Sequence, residues 1–103
     1  MAVADDNLII KTFMNAKIEN PPYPQEIVDN NGCYHSHEDW MVPVIEKIDC
    51  IEGVTLRFYY ETSILSIVKY IKDVDGNDIR EIDAWGPSQY QVALDFINKL
   101  NAL

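Results

Sequence analysis

A chain of 103 residues, 48% hydrophobic and 11% aromatic, holds one globular domain, 1–103, and excludes both a second domain and intrinsic disorder. Seventeen Asp and Glu against eight Lys and Arg leave a net charge of −9, the wrong sign for a protein that binds nucleic acid directly by neutralising phosphates. No apolar run reaches the roughly 18 residues of a membrane span, and Met1 to Asn15 lacks the basic start of a secretory leader, so a cytoplasmic protein is expected.

Asp5 and Asp6 precede Leu8, Ile9, Ile10, Phe13 and Met14, and the pairs Ile9/Phe13 and Ile10/Met14 lie four apart. That spacing predicts a helix over 5–15 with the acids at its positive end. Pro21, Pro22 and Pro24 then enforce a connector. Asn31-Gly32 between short β-type runs predicts a hairpin near 26–35. Ser36, followed three residues later by Asp39, predicts a helix start, and Trp40, Met41, Val44, Ile45, Ile48 and Ile51 recur behind it at helical spacing. Pro43 falls in the second turn, where the helix is expected to kink or begin afresh.

Val54 to Tyr60 alternates as a strand, with Val54, Leu56 and Phe58 on one face. Ile64 to Ile71 is apolar on both faces, which predicts a central strand covered on both sides. Asp75-Gly76 turns the chain into a third strand, Ile79 to Ala84, whose Arg80, Glu81 and Asp83 place it at a sheet edge. Gly86-Pro87 opens a last helix with Val92, Ala93, Phe96, Ile97, Leu100 and Leu103 as its buried stripe and Asp95, Asn98 and Lys99 on its wet side. Without crossovers between parallel strands, this order predicts an α+β domain. Its antiparallel sheet would have about three to five strands and helices on both faces, an α-β-α layering.

Cys33, His35 and His37 would share one face if their segment were extended, and a thiolate with two imidazoles suits zinc. Only Cys50 or Asp39 could close the shell, and polar residues at a strand-to-helix junction more simply satisfy free backbone donors. No metal or cofactor is therefore expected, these three being the only candidates. Asp73-Val74-Asp75-Gly76-Asn77-Asp78 looks like the first half of a calcium loop, yet Asp78 stands where the turn glycine belongs and Ala84 where the final acid belongs. Gly32, Gly53, Gly76 and Gly86 all fall at element boundaries, leaving no phosphate loop or nucleophile elbow, and no catalytic residue is expected.

Two cysteines suit buried or half-buried thiols in a reducing compartment, although spacing alone leaves a Cys33–Cys50 disulfide open. Trp40 and Trp85 are expected to fill the ends of the core. Tyr59 and Tyr60, adjacent in a strand, must face opposite ways, so one is expected at the surface or an interface.

Tyr34-His35 with Trp40-Met41-Val42-Pro43-Val44-Ile45-Glu46-Lys47-Ile48 resembles the phage ABA sandwich domain family of small phage and prophage proteins. Asn7 to Met14 and Tyr90 to Asn101 agree with that pattern in order, while Glu38 stands where the family commonly carries a second tryptophan. The resemblance implies a helix–sheet–helix layered fold, a phage or prophage origin and tolerance of Pro43 within its helix. It supplies no catalytic or ligand residues.

These observations favour a non-enzymatic protein-binding module acting on a host or phage protein in the bacterial cytoplasm, an anti-defence inhibitor being one form. The −9 charge would speed encounter with a basic target. The alternatives are a self-associating structural or assembly subunit, such as a homodimer whose second copy helps cover the central strand, and a metal-dependent enzyme built on Cys33, His35 and His37.

Overall fold

Two asparagines in the left-handed region stop the first two helices of the computed structural model, which describes residues 3–103. Helix α1 spans Val3–Met14 and ends at Asn15, φ 52°. There Ala16 N–H bonds Lys11 O and Asn15 N–H bonds Thr12 O, both at 3.1 Å. Helix α2 spans Gln25–Asp29 and ends the same way at Asn31, φ 56°, with Gly32 N–H on Ile27 O at 2.9 Å and Asn31 N–H on Val28 O at 3.1 Å. Both are paired 6→1 and 5→2 caps. The hairpin expected near 26–35 is therefore absent. Asn-Gly supplies the positive φ that a hairpin turn needs, but Pro24, with φ −56°, starts a helical turn before it.

Helix α3, Glu38–Asp49, has His37 rather than Ser36 at its N-cap position, with no side-chain capping bond, and the Ser36 Oγ instead meets His37 Nδ1 at 2.9 Å. It runs without interruption through Pro43. Proline removes the partner of the Asp39 carbonyl, but Asp39 and Pro43 are both exposed, so water can take its place.

Strands β1 (Val54–Tyr59), β2 (Ile64–Lys72) and β3 (Asp78–Gly86) form an antiparallel sheet in the order β1-β2-β3. The apolar strand lies in the middle and the charged strand at an edge, as their compositions require. Helix α4 follows at Gln89–Asn101. Gly86 closes β3 and Pro87 precedes the cap, which is Ser88: its Oγ accepts Gln91 N–H at 3.2 Å.

Register explains the core. Leu56, Ile67 and Ala84 stand side by side across the three strands, with Val54 and Ile82 on the same face. They pack with Ile10, Met41, Val44, Ile48, Phe96 and Ile97 in one cluster. Each of the larger side chains among them (Val, Leu, Ile, Met or Phe) contributes about 1.5–3 kcal/mol when fully buried. Helices α3 and α4 pack against this sheet and α1 packs on both of them, and the core cluster draws on a single sheet face. The expected cover on both faces is found on one.

The opposite face shields itself. Tyr59 and Trp85, on the two outer strands, stack with ring centroids 5.5 Å apart and planes 20° from parallel. Between them lies the small Ser66, Trp85's neighbour in the register, which is only 2% exposed. Val68 on the same face is also buried. Trp85 itself is 45% exposed, so it is not the core corner its position suggested, whereas half-buried Trp40 packs against the core.

Candidate functional site

The segment carrying Cys33, His35 and His37 is a series of turns rather than a strand: Ser36 N–H and His37 N–H both bond Cys33 O. Alternation therefore does not apply. Cys33 is buried, and His35 and His37 are exposed and differently engaged. Among the described residues no three His, Cys, Asp or Glu side chains gather to hold a metal ion. Both cysteines are free; Cys50 is exposed, contrary to the expectation of a shielded thiol. The calcium-like loop is a turn device, in which Asp73 Oδ1 accepts Asp75 N–H at 2.9 Å and Asn77 N–H at 2.8 Å.

His35 belongs to a partly buried polar clamp centred on Asn7, whose own side chain is fully enclosed. Asn7 Nδ2 faces Asn30 O at 2.9 Å, Gly32 O at 3.1 Å and His35 Nδ1 at 2.9 Å, while Tyr90 Oη donates to Asn7 Oδ1 at 3.0 Å. The amide nitrogen carries two hydrogens, enough for the carbonyls of Asn30 and Gly32, with His35 Nδ1 packed beside them. The clamp joins α1, the turn after α2 and α4. Every polar atom of Asn7 has a partner, so the cluster holds structure together.

Beside the clamp lies an open hollow of about 970 Å³. Its walls come from the turn before α3 (Tyr34 to Glu38), the start of α4 (Ser88 to Gln91) and the sheet (Phe58 and Leu65). Burial holds the Tyr90 phenol above its ordinary value, with nearby Asp6 adding to the effect. At this end of the sheet aromatic side chains reach the surface: Phe58, 44% exposed, on the side of the hollow, Tyr59 (39%) and Trp85 (45%) on the opposite face, and Tyr60 (85%) just beyond the strand. Phe58 and Tyr60 meet edge to face at 4.7 Å, and Tyr59 lies on Trp85. Both members of the Tyr59-Tyr60 pair are therefore exposed, where one was expected.

The two sheet edges differ. Trp85 N–H donates to Asp95 Oδ2 at 3.2 Å, and Lys99 Nζ donates to Asp83 O at 2.7 Å, so side chains of α4 occupy the free edge of β3. On β1 the alternation runs from Tyr70 N–H on Gly53 O, which makes Thr55, Arg57 and Tyr59 face β2. The backbone groups of Leu56 and Phe58 consequently point outward. Among the described residues no side-chain hydrogen bond is made to them, in contrast to Trp85 and Asp83 on β3, and Arg57 has no ion-pair partner.

The sequence signalled Tyr59 and Tyr60 by their adjacency. It gave no sign of the Tyr59–Trp85 stack, which depends on register across a strand that neither residue occupies. No protein-family model, no curated protein and no solved structure matches this chain. No helix among the described residues is long and apolar enough to cross a membrane.

Proposed function

We propose that this domain is a protein-binding module that works without catalysis, and that it binds through the aromatic end of its sheet. The carrying observation is the group Phe58, Tyr59, Tyr60 and Trp85, all substantially exposed at one end of the sheet, with Phe58 lining an open hollow and Tyr59 stacked on Trp85 on the opposite face. Large aromatics left at a surface supply contact area at little entropic cost, and they are enriched where proteins meet partners. In the setting suggested by the phage-type resemblance, the module acts in the bacterial cytoplasm on a host protein, and blocking a defence protein is one form of that action. The −9 charge supports encounter with a basic partner.

Self-association is less favoured. Ser66 and Val68 are shielded within the chain, so the central strand does not require a second copy, and like net charges repel.

The test compares immobilised intact protein with a Tyr59→Ser/Trp85→Ser variant as bait in bacterial cytoplasmic extract. A protein retained by the intact bait, lost with the variant and recovered better at low salt is the expected result. Equal recovery by both baits would overturn the assignment of the surface.

A further inference from the structure

We infer that the β1 edge is a docking site for an extended segment of a partner protein. The segment adds as an antiparallel fourth strand, with a carboxylate across from Arg57 and apolar side chains on either side of it. This rests on the protein-binding reading above and specifies how the contact is made.

Three observations converge on that occupant. The first is the asymmetry of the edges. Exposed strand edges template pairing with other chains, and proteins usually blunt them. Here Asp95 and Lys99 occupy the β3 edge at Trp85 and Asp83, whereas the outward groups of Leu56 and Phe58 on β1 are left open. The second is side-chain direction. Leu56 and Phe58 face the helical side of the sheet, so residues paired with them on an added strand would face that side too. Phe58 lines the hollow, which offers room for an apolar side chain at that position. The third is charge. Arg57 points to the opposite face, is exposed and lacks an ion-pair partner among the described residues. A residue directly across from it in a non-hydrogen-bonded pair would sit with its Cβ about 4.5–5.5 Å away, where an acid is favoured and a cation disfavoured.

A second copy of the chain fits less well, because it would bring −9 against −9. A partner that is basic overall but carries one carboxylate in the docking segment satisfies both the long-range field and Arg57.

The probe is a capped peptide, Lys-Thr-Val-Glu-Val-Thr-Lys, compared with a version in which Lys replaces Glu and a version N-methylated at one Val. Amide hydrogen exchange on the full chain reads the site of binding, and titration reads affinity. With the Glu peptide, exchange at the Leu56 and Phe58 amides is expected to slow by about tenfold or more, while Asp83 and Trp85 are unaffected. The Lys peptide should bind about fivefold more weakly, and Arg57→Ala should bring the two within about twofold. N-methylation, which removes a ladder donor, should abolish protection.

No slowing at Leu56 and Phe58, equal or tighter binding of the Lys peptide, or slowing on the β3 edge would each overturn the inference. Concentration-dependent slowing at Leu56 and Phe58 in the protein alone would also overturn it, assigning the edge to a second copy. A partner captured through Tyr59 and Trp85 without slowing at β1 leaves the protein-binding reading standing and removes strand addition alone.

Discussion

Tyr90 Oη donates to Asn7 Oδ1 at 3.0 Å, tying the last helix to the first across 83 positions of sequence. The same Asn7 amide faces the carbonyls of Asn30 and Gly32, so one enclosed side chain positions three segments. Removing it strands several buried polar groups at once. Asn7→Ala should cost about 2–4 kcal/mol, whereas Tyr90→Phe, which removes one bond and keeps the ring, should cost about 1 kcal/mol. Urea unfolding followed by tryptophan fluorescence measures both. Equal costs would show that the amide is not the centre of the clamp.

Alkaline pH tests the same region. The Tyr34 phenol is raised above 10.0 by burial and secondarily by Tyr23, and the Tyr90 phenol by burial and secondarily by Asp6. A raised pKa means that the folded chain keeps protons after the unfolded chain has released them. Stability from these groups is therefore fully present below the unfolded value near 10 and falls as pH rises through the folded values, by at most about 1.4 kcal/mol per pH unit for each group. Unfolding free energy should decline as pH rises above about 10, and less steeply in Tyr90→Phe. Urea titrations across that range check it, an identical slope in the variant being the contrary result.

Zinc and chelators give a separate check on Cys33, His35 and His37. A buried thiol, an imidazole nitrogen held against Asn7 and an imidazole beside Ser36 do not converge on one ion. A ligand that binds the folded state stabilises it in proportion to its occupancy. Neither stoichiometric zinc nor excess chelator should move the melting midpoint by more than about 1 °C. A larger rise with zinc, lost in His35→Ala, would restore the metal reading.

The meander was legible because it obeys local rules. Val54 to Phe58 alternates, β2 is apolar on both faces, and β3 carries its charges to an edge. The last helix was legible from Val92, Ala93, Phe96 and Ile97, all buried, although Leu103 is exposed. Where one local signal serves two structures, the reading failed. Asn31-Gly32 offers positive φ equally to a hairpin and to a helix stop, and the choice lay with Pro24 upstream. Apolar residues on both faces of β2 implied two helical layers, but the chain shields Ser66 with its own Tyr59–Trp85 stack. The docking edge was illegible for a related reason, since the difference between β1 and β3 lies in Asp95 and Lys99, which read from sequence as an ordinary wet helix face.

Those two residues carry the last prediction. Asp95 Oδ2 accepts both Trp85 N–H at 3.2 Å and Lys99 Nζ at 3.0 Å, so it caps the β3 edge and steadies the lysine that covers Asp83 O. Asp95→Ala removes one charged acceptor and loosens the other cap. It should cost about 1–2 kcal/mol, given that bonds to charged groups exceed neutral ones. Lys99→Ala removes only the second cap and should cost less. The larger consequence is exposure of a second free edge on a strand that is otherwise paired. Light scattering at rising concentration should show Asp95→Ala associating where the unaltered chain stays monomeric, with exchange slowing at Asp83 and Trp85 as it does so. If Asp95→Ala unfolds at the same urea concentration as the unaltered chain and remains monomeric, the α4 side chains do not guard that edge.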